Sequence, residues 1–213
     1  MDEIRKWFYE TRADETVKNL RRHGFDALQV PDRSAACSEI LKRIPSSKTV
    51  GIGGSVTVRE IGILDKLKGQ GNTLYDHWKE GLGPVESLKI RKAQQSCDLF
   101  LGSSNAVTMA GEIVSVDGFC NRISSMAFGP KEVILAVGRN KIVRDVPAAL
   151  ARIKEVAAPM NARRFGLNSP CVQAGRCVDC DSPERICRGT LILERKPFAT
   201  EVLVVIVQEE LGY

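Results

Sequence analysis

From residue 25 to residue 102 the sequence alternates short apolar, β-branched runs with longer segments that mix charge and hydrophobicity, and this rhythm limits the possible folds most. The spacing predicts strands over 25–30, 49–53, 74–75 and 98–102. Between them it predicts helices over 34–43, 57–68 and 84–95, the last with Pro84 in its first turn, where a missing N–H costs nothing. Strands joined through helices run parallel, because a parallel pair needs a long crossover connection. Two further runs, 133–137 and 202–207, are too short to span a bilayer and read as buried strands. The expected class is α/β: a mostly parallel, Rossmann-like sheet flanked by helices.

Around this body the pattern is looser. Ile4, Trp7, Phe8, Val17 and Leu20 sit among charges over 2–23, as in one or two amphipathic helices ending at Gly24. After Gly102 come two short extended segments around Ala110 and Gly111 and a helix over 121–128. Arg139 and Asn140 suit a tight hairpin between the runs 131–138 and 141–143, and a helix over 146–157 is expected to stop at Pro159. This divides the chain into an α/β domain over 1–160, an irregular cysteine-rich lobe over 161–190, and C-terminal strands within 191–213 that complete the fold.

Composition narrows the function classes. The 213 residues are 43% hydrophobic and 27% charged, as in an ordinary globular chain. The net charge of +5 is interleaved along the sequence and not gathered into a basic stripe, so nucleic acid is not an expected partner. Neither a membrane partner nor export is expected, since the charged first residues lack a signal's apolar stretch. Seven cysteines, an odd number, favour reduced thiols or metal ligands over a disulfide framework, and a cytoplasmic location.

Gly51-Ile-Gly53-Gly54-Ser55-Val-Thr57 follows a strand and opens a helix, where unpaired backbone amides favour an anion. Gly53 and Gly54 would let the main chain approach a ligand, Ser55 would add a hydroxyl, and Thr57 with Glu60 has capping-box spacing. Alternatively, the segment only makes a tight turn. It matches neither a dinucleotide fingerprint nor a P-loop. A second polar group, Asn105, Glu112, Asp117, Asn121 and Arg122, follows strand 98–102 and could share a crevice with that turn. Glu112 or Asp117 would carry a proton, and Asn105, Asn121 and Arg122 would bind an anionic ligand. The alternative is a turn at Asp117 and a surface ion pair at Arg122. His23 and His77 lie in charged stretches and read as solvated.

Cys171, Cys177, Cys180 and Cys187 crowd four thiols into seventeen residues that show little periodicity. A metal would explain the concentration. A [4Fe-4S] cluster held by a wrapping loop suits the uneven spacing, zinc is the alternative, and metal-free thiols or a redox disulfide the third reading. Arg176, Arg185 and Arg188 would offset thiolate charge. Cys37, Cys97 and Cys120 stand singly and read as small buried hydrophobes.

The ordered motifs Gly51-Ile-Gly-Gly-Ser-Val-Thr-x-x-Glu-Ile-Gly62, Leu101-Gly-Ser-Ser-Asn-Ala, Asp117-Gly-x-x-Asn-Arg122, Val137-Gly-Arg-Asn-Lys-Ile-Val143 and Ala157-Ala-Pro-x-Asn-Ala162 resemble the lactate-utilisation domain (LUD) family. The resemblance runs from about residue 2 to 165, and the remainder resembles a short stand-alone subgroup with a cysteine-rich tail. It implies a fold like the ribose-5-phosphate isomerase, glucosamine-6-phosphate deaminase and CoA-transferase superfamily. It also implies association with lactate oxidation alongside iron–sulfur or redox partner proteins, although the chain lacks the ferredoxin-like modules of larger members. Three functions follow: an accessory or electron-transfer protein of 2-hydroxyacid oxidation that binds a small anionic metabolite; a stand-alone enzyme on a sugar phosphate or CoA ester; or a regulatory anion-binding module with structural zinc. A homo-oligomer is compatible with each.

Overall fold

The computed structural model describes residues 2–213. Its elements begin with α1 (Glu3–Arg22), β1 (Asp26–Val30), α2 (Arg33–Lys42), β2 (Thr49–Ile52), α3 (Val56–Glu60), α4 (Ile63–Gly69), β3 (Thr73–Asp76), α5 (Pro84–Ala93) and β4 (Leu99–Gly102). They continue with β5 (Ala106–Thr108), β6 (Ile113–Asp117), α6 (Asn121–Ala127), β7 (Glu132–Gly138), β8 (Ile142–Val143), α7 (Val146–Arg152), α8 (Ala158–Arg164), α9 (Pro170–Ala174), β9 (Gly189–Leu193) and β10 (Glu201–Val207). Six strands form one parallel sheet in the order β1-β10-β7-β4-β2-β3, and four form a smaller sheet in the order β8-β5-β6-β9. No helix among the described residues is long and apolar enough to cross a membrane.

The apolar runs are strands because both faces of the large sheet are covered, which removes any need for polar alternation. Successive residues of β10 serve opposite layers. Leu203, Val205 and Val207 join Ile40, Ile44, Ile52, Ile63 and Leu67 beneath α2 and α4. Val202, Val204 and Ile206 join Leu20, Phe100, Val107, Ile113 and Met126 beneath α1 and the small sheet.

The structure differs from the sequence reading at four places. The helix expected over 57–68 is two, because Gly62 adopts a left-handed conformation (φ 69°) that ends the first. Its N-cap is Ser55, which accepts from the Val58 N–H, and Thr57 lies inside the helix. Arg139 and Asn140 do not form a hairpin: the chain makes a 3₁₀ turn over Arg139–Lys141 and passes from the large sheet at β7 to the small one at β8. The C-terminal segment holds this turn, with the Leu211 N–H donating to Asn140 Oδ1 and the Arg139 N–H to the Glu209 carbonyl. Finally, the helix does not stop at Pro159. A π-helical turn over Ile153–Ala157 leads into α8, and Pro159 sits in its first turn, where it needs no hydrogen-bonded N–H.

Candidate functional site

In a parallel sheet the carboxyl ends of the strands share one edge, and there the chain leaves the sheet as polar loops. Gly54 and Ser55 follow β2, His77 and Trp78 follow β3, Ser103 to Asn105 follow β4, and Lys141 follows β7. With Asp117 at the end of β6, α6, the end of α8 and part of the cysteine-bearing segment, they enclose a crevice of about 590 Å³. Of the residues singled out in the sequence, Gly54, Ser55, Thr57, Asn105, Asp117, Asn121 and Arg122 line it.

Two others do not. Gly53 lies beneath, where a Cβ would come within 2.7 Å of the Phe100 ring, so its glycine answers to core packing. Glu112 is at the β5–β6 turn, where the Thr108 hydroxyl donates to its carboxylate, and the structure does not bring it to the crevice. Gly54 has its own reason to lack a side chain: a Cβ there would meet the Trp78 indole at 2.7 Å.

The polar groups of the crevice are largely held by one another. Arg122 donates to the Ser103 carbonyl (3.0 Å), the Val116 carbonyl (2.7 Å), Asn105 Oδ1 (3.0 Å) and Ser115 Oγ (3.4 Å), which leaves its Nε–H for anything else. Asn105 thus serves the arginine, and its Oδ1 also accepts from the Val116 N–H. Asp117 accepts from the Arg122 and Ile123 N–H groups and so anchors the start of α6. The buried Asn121 donates to Gln94 Oε1.

Gln94 fixes His77. Its Nε2 faces the carbonyls of Ile52 (2.8 Å) and Tyr75 (2.9 Å) and must be the donor end, so His77 Nδ1, at 2.8 Å, accepts and the neutral ring carries its proton on Nε2. Burial, then the Arg91 charge, pushes the His77 pKa down to about 4. A histidine held below its unfolded value near 6.5 leaves the unfolded chain to bind the extra proton, so stability falls as pH drops from 6.5 toward 4. Allowing for the ring's partial exposure, roughly 2 kcal/mol should disappear across that window. Urea titrations of wild type and His77→Gln should show a shallower acid slope in the variant, where only carboxylates such as Glu39, Asp98 and Asp145, held below their ordinary values, still contribute.

Sequence reasoning treated His77 as solvated and passed over Trp78, Arg164 and Lys141. The Trp78 ring packs against the guanidinium groups of Arg59 (4.4 Å) and Arg164 (4.0 Å), with Arg59 bound to both oxygens of Asp76. Lys141, 4% exposed, donates to Thr57 Oγ1 (2.8 Å) and Ser103 Oγ (3.1 Å). Its position just past the end of an apolar strand was the available signal. Six basic side chains, Arg91, Arg122, Lys141, Arg164, Arg185 and Arg188, line the crevice against two carboxylates, Asp117 and Glu184. Its field favours an anion.

Cys171, Cys177, Cys180 and Cys187 border one small cavity of about 20 Å³. Among the described residues no group of three or more His, Cys, Asp or Glu side chains is placed to hold a metal ion, so the thiols share a cavity without a ready coordination sphere. The Asp179 N–H donates to Cys177 Sγ, and Arg185 ties the loop by donating to the carbonyls of Cys180 and Cys187. Arg185 and Ile186 line both this cavity and the crevice. Cys37 and Cys97 are buried, and burial raises the Cys97 pKa to about 11; Cys120 is only half-buried, with φ 59° at the start of α6.

The profile of the LUD domain family matches residues 13–207. No curated protein matches the chain. Among solved structures, the chain is similar to a DUF162 family protein from Deinococcus radiodurans, with 13% identity and a TM-score of 0.54 over 93% of this chain and 98% of that one. At that identity the likeness is one of fold.

Proposed function

The chain belongs to the LUD domain family, and on that premise we propose that it is an accessory, electron-transferring protein of lactate or related 2-hydroxyacid oxidation, which binds the organic acid in its basic crevice. The observation that carries this reading is the shared wall of Arg185 and Ile186, which puts the four-thiol cavity directly behind the crevice. The crevice has room for an acid larger than lactate, within the range usual for small-molecule sites.

Cys171, Cys177, Cys180 and Cys187 would hold the redox centre, a [4Fe-4S] cluster: thiolates are its usual donors, and the loop would have to open the small cavity and draw the four sulfurs together around it. When bound, such a cluster stores and passes on one electron. The chain's own residues do the rest: the arginines concentrate the acid, Trp78 and Phe165 wall off one side, and Arg185 sits between the acid and the thiols. A redox partner protein would exchange electrons with the exposed side of the lobe.

Anaerobic purification followed by metal analysis tests the proposal. The expected protein is coloured, contains iron and sulfide, and bleaches with dithionite. Exchanging Cys177 and Cys180 for serine should abolish colour and iron while the circular dichroism and melting of the α/β body stay close to wild type. Colourless protein holding stoichiometric zinc would refute electron transfer and make the lobe a structural support. Lactate and pyruvate should each raise the melting temperature, as ligands of the folded state must.

A further inference from the structure

A buried lysine normally has a carboxylate for company, because an unpaired ammonium removed from water is costly. Lys141 has none: no ion pair among the described residues reaches it. Its charged neighbours are chiefly the cations Arg152 and Arg122, with Glu60 the weakest influence, and its hydrogen-bond partners are two neutral hydroxyls. The 3₁₀ turn that presents it is fixed by Asn140, which accepts from the Leu211 N–H and donates to the Gly212 carbonyl. The result is a rigidly placed amine lining an anion-attracting crevice, in surroundings that favour its neutral form.

We infer that Lys141 is a carbonyl-capturing amine, which forms a reversible imine with the 2-oxo group of an oxo acid bound in the crevice. This rests on the reading of the crevice as an organic-acid site and names the acid's reactive class. The nitrogen lone pair attacks the carbonyl carbon, a C–N bond forms, and the carbonyl oxygen takes a proton to give a carbinolamine. Loss of that hydroxyl as water, with the nitrogen's remaining proton released, leaves the C=N bond; nothing is oxidised or reduced, and water reverses the step. Thr57 and Ser103, within 2.8 and 3.1 Å of the nitrogen, can hold the neutral amine and relay these protons. Burial and the neighbouring arginines lower the Lys141 pKa to about 7, so much of the amine is a nucleophile at neutral pH.

The experiment incubates the protein with pyruvate at pH 7, adds sodium borohydride, and maps the product by peptide mass spectrometry, with melting shifts measured on the same samples. A reduced pyruvyl adduct is expected on Lys141, exceeding any single surface lysine by on the order of 100-fold, since an ordinary lysine is almost wholly protonated at that pH. Lactate, which has no carbonyl to capture, should leave no adduct and should suppress labelling by pyruvate. Lys141→Arg should lose the adduct, and the wild-type map needs no variant to fold. Labelling spread evenly over surface lysines, or none on Lys141 while pyruvate still raises the melting temperature, would overturn the imine and leave the acid site standing. Absence of both label and melting shift would overturn both.

Discussion

Arg122→Ala is expected to lower the folding free energy by about 3 kcal/mol, a large loss for a side chain at a ligand crevice. The guanidinium ties the loop after β4, through Ser103 and Asn105, to β6, through Ser115 and Val116, while its own backbone N–H is held by Asp117 at the start of α6. Truncation leaves the Ser103 and Val116 carbonyls without this donor in a low-dielectric setting, and unpaired polar groups cost more than the bonds themselves are worth. Burial lowers the Arg122 pKa, with Asp117 partly opposing, yet an arginine stays charged and cannot escape by neutralising. Arg122→Lys should recover less than half of the loss, because one ammonium cannot reach four acceptors spread around a planar fork. Urea denaturation measures both variants. A loss below about 1 kcal/mol for the alanine variant would mean that the strand ends keep their places without the arginine.

Most of the large sheet could be read from the sequence because its strands lack solvent-facing sides. Val133 to Val137 and Val202 to Val207 feed two core layers at once, so they show as unbroken apolar runs. Pro84 announced the start of α5 for an equally local reason. The misreadings arose where a local signal had a distant competitor. Arg139 and Asn140 are good turn residues, but the C-terminal strand and tail make the bonds that set which turn they form. Ser55 and Thr57 are both capping residue types two positions apart, and Ser55 takes the cap while Thr57 receives Lys141. In the crevice, the polar residues that follow β2, β4 and β6 were visible as a cluster after strand ends. The partners that define their state were not: His77 depends on Gln94, seventeen residues on, and Lys141 on Thr57, eighty-four residues back.

Lys141→Met should make the protein more stable at pH 7 by about 1–3 kcal/mol, the reverse of what most core substitutions do. In the wild type the Lys141 pKa is lowered, by burial first and then by Arg152 and Arg122, from 10.5 to about 7. The unfolded chain therefore holds a proton that the folded chain releases between pH 7 and 10.5, and stability from this group rises with pH across that interval. Below pH 7 the full penalty remains, on the order of 3–5 kcal/mol before the bonds to Thr57 and Ser103 offset part of it. Methionine fills a similar volume without a charge, so the penalty should vanish with the slope, at the cost of one donor to each of two hydroxyls that still donate to the Leu211 and Ser104 carbonyls. The decisive measurement is the difference between the two proteins' urea stabilities at pH 7 and pH 10. It should shrink or reverse at the higher pH, where wild-type Lys141 has become neutral. A methionine variant that is less stable at both pH values by the same amount would mark Lys141 as a plain structural tie. A stabilised variant that has lost its capacity to capture a carbonyl would show why the fold keeps an amine there: the instability is what holds it ready to react.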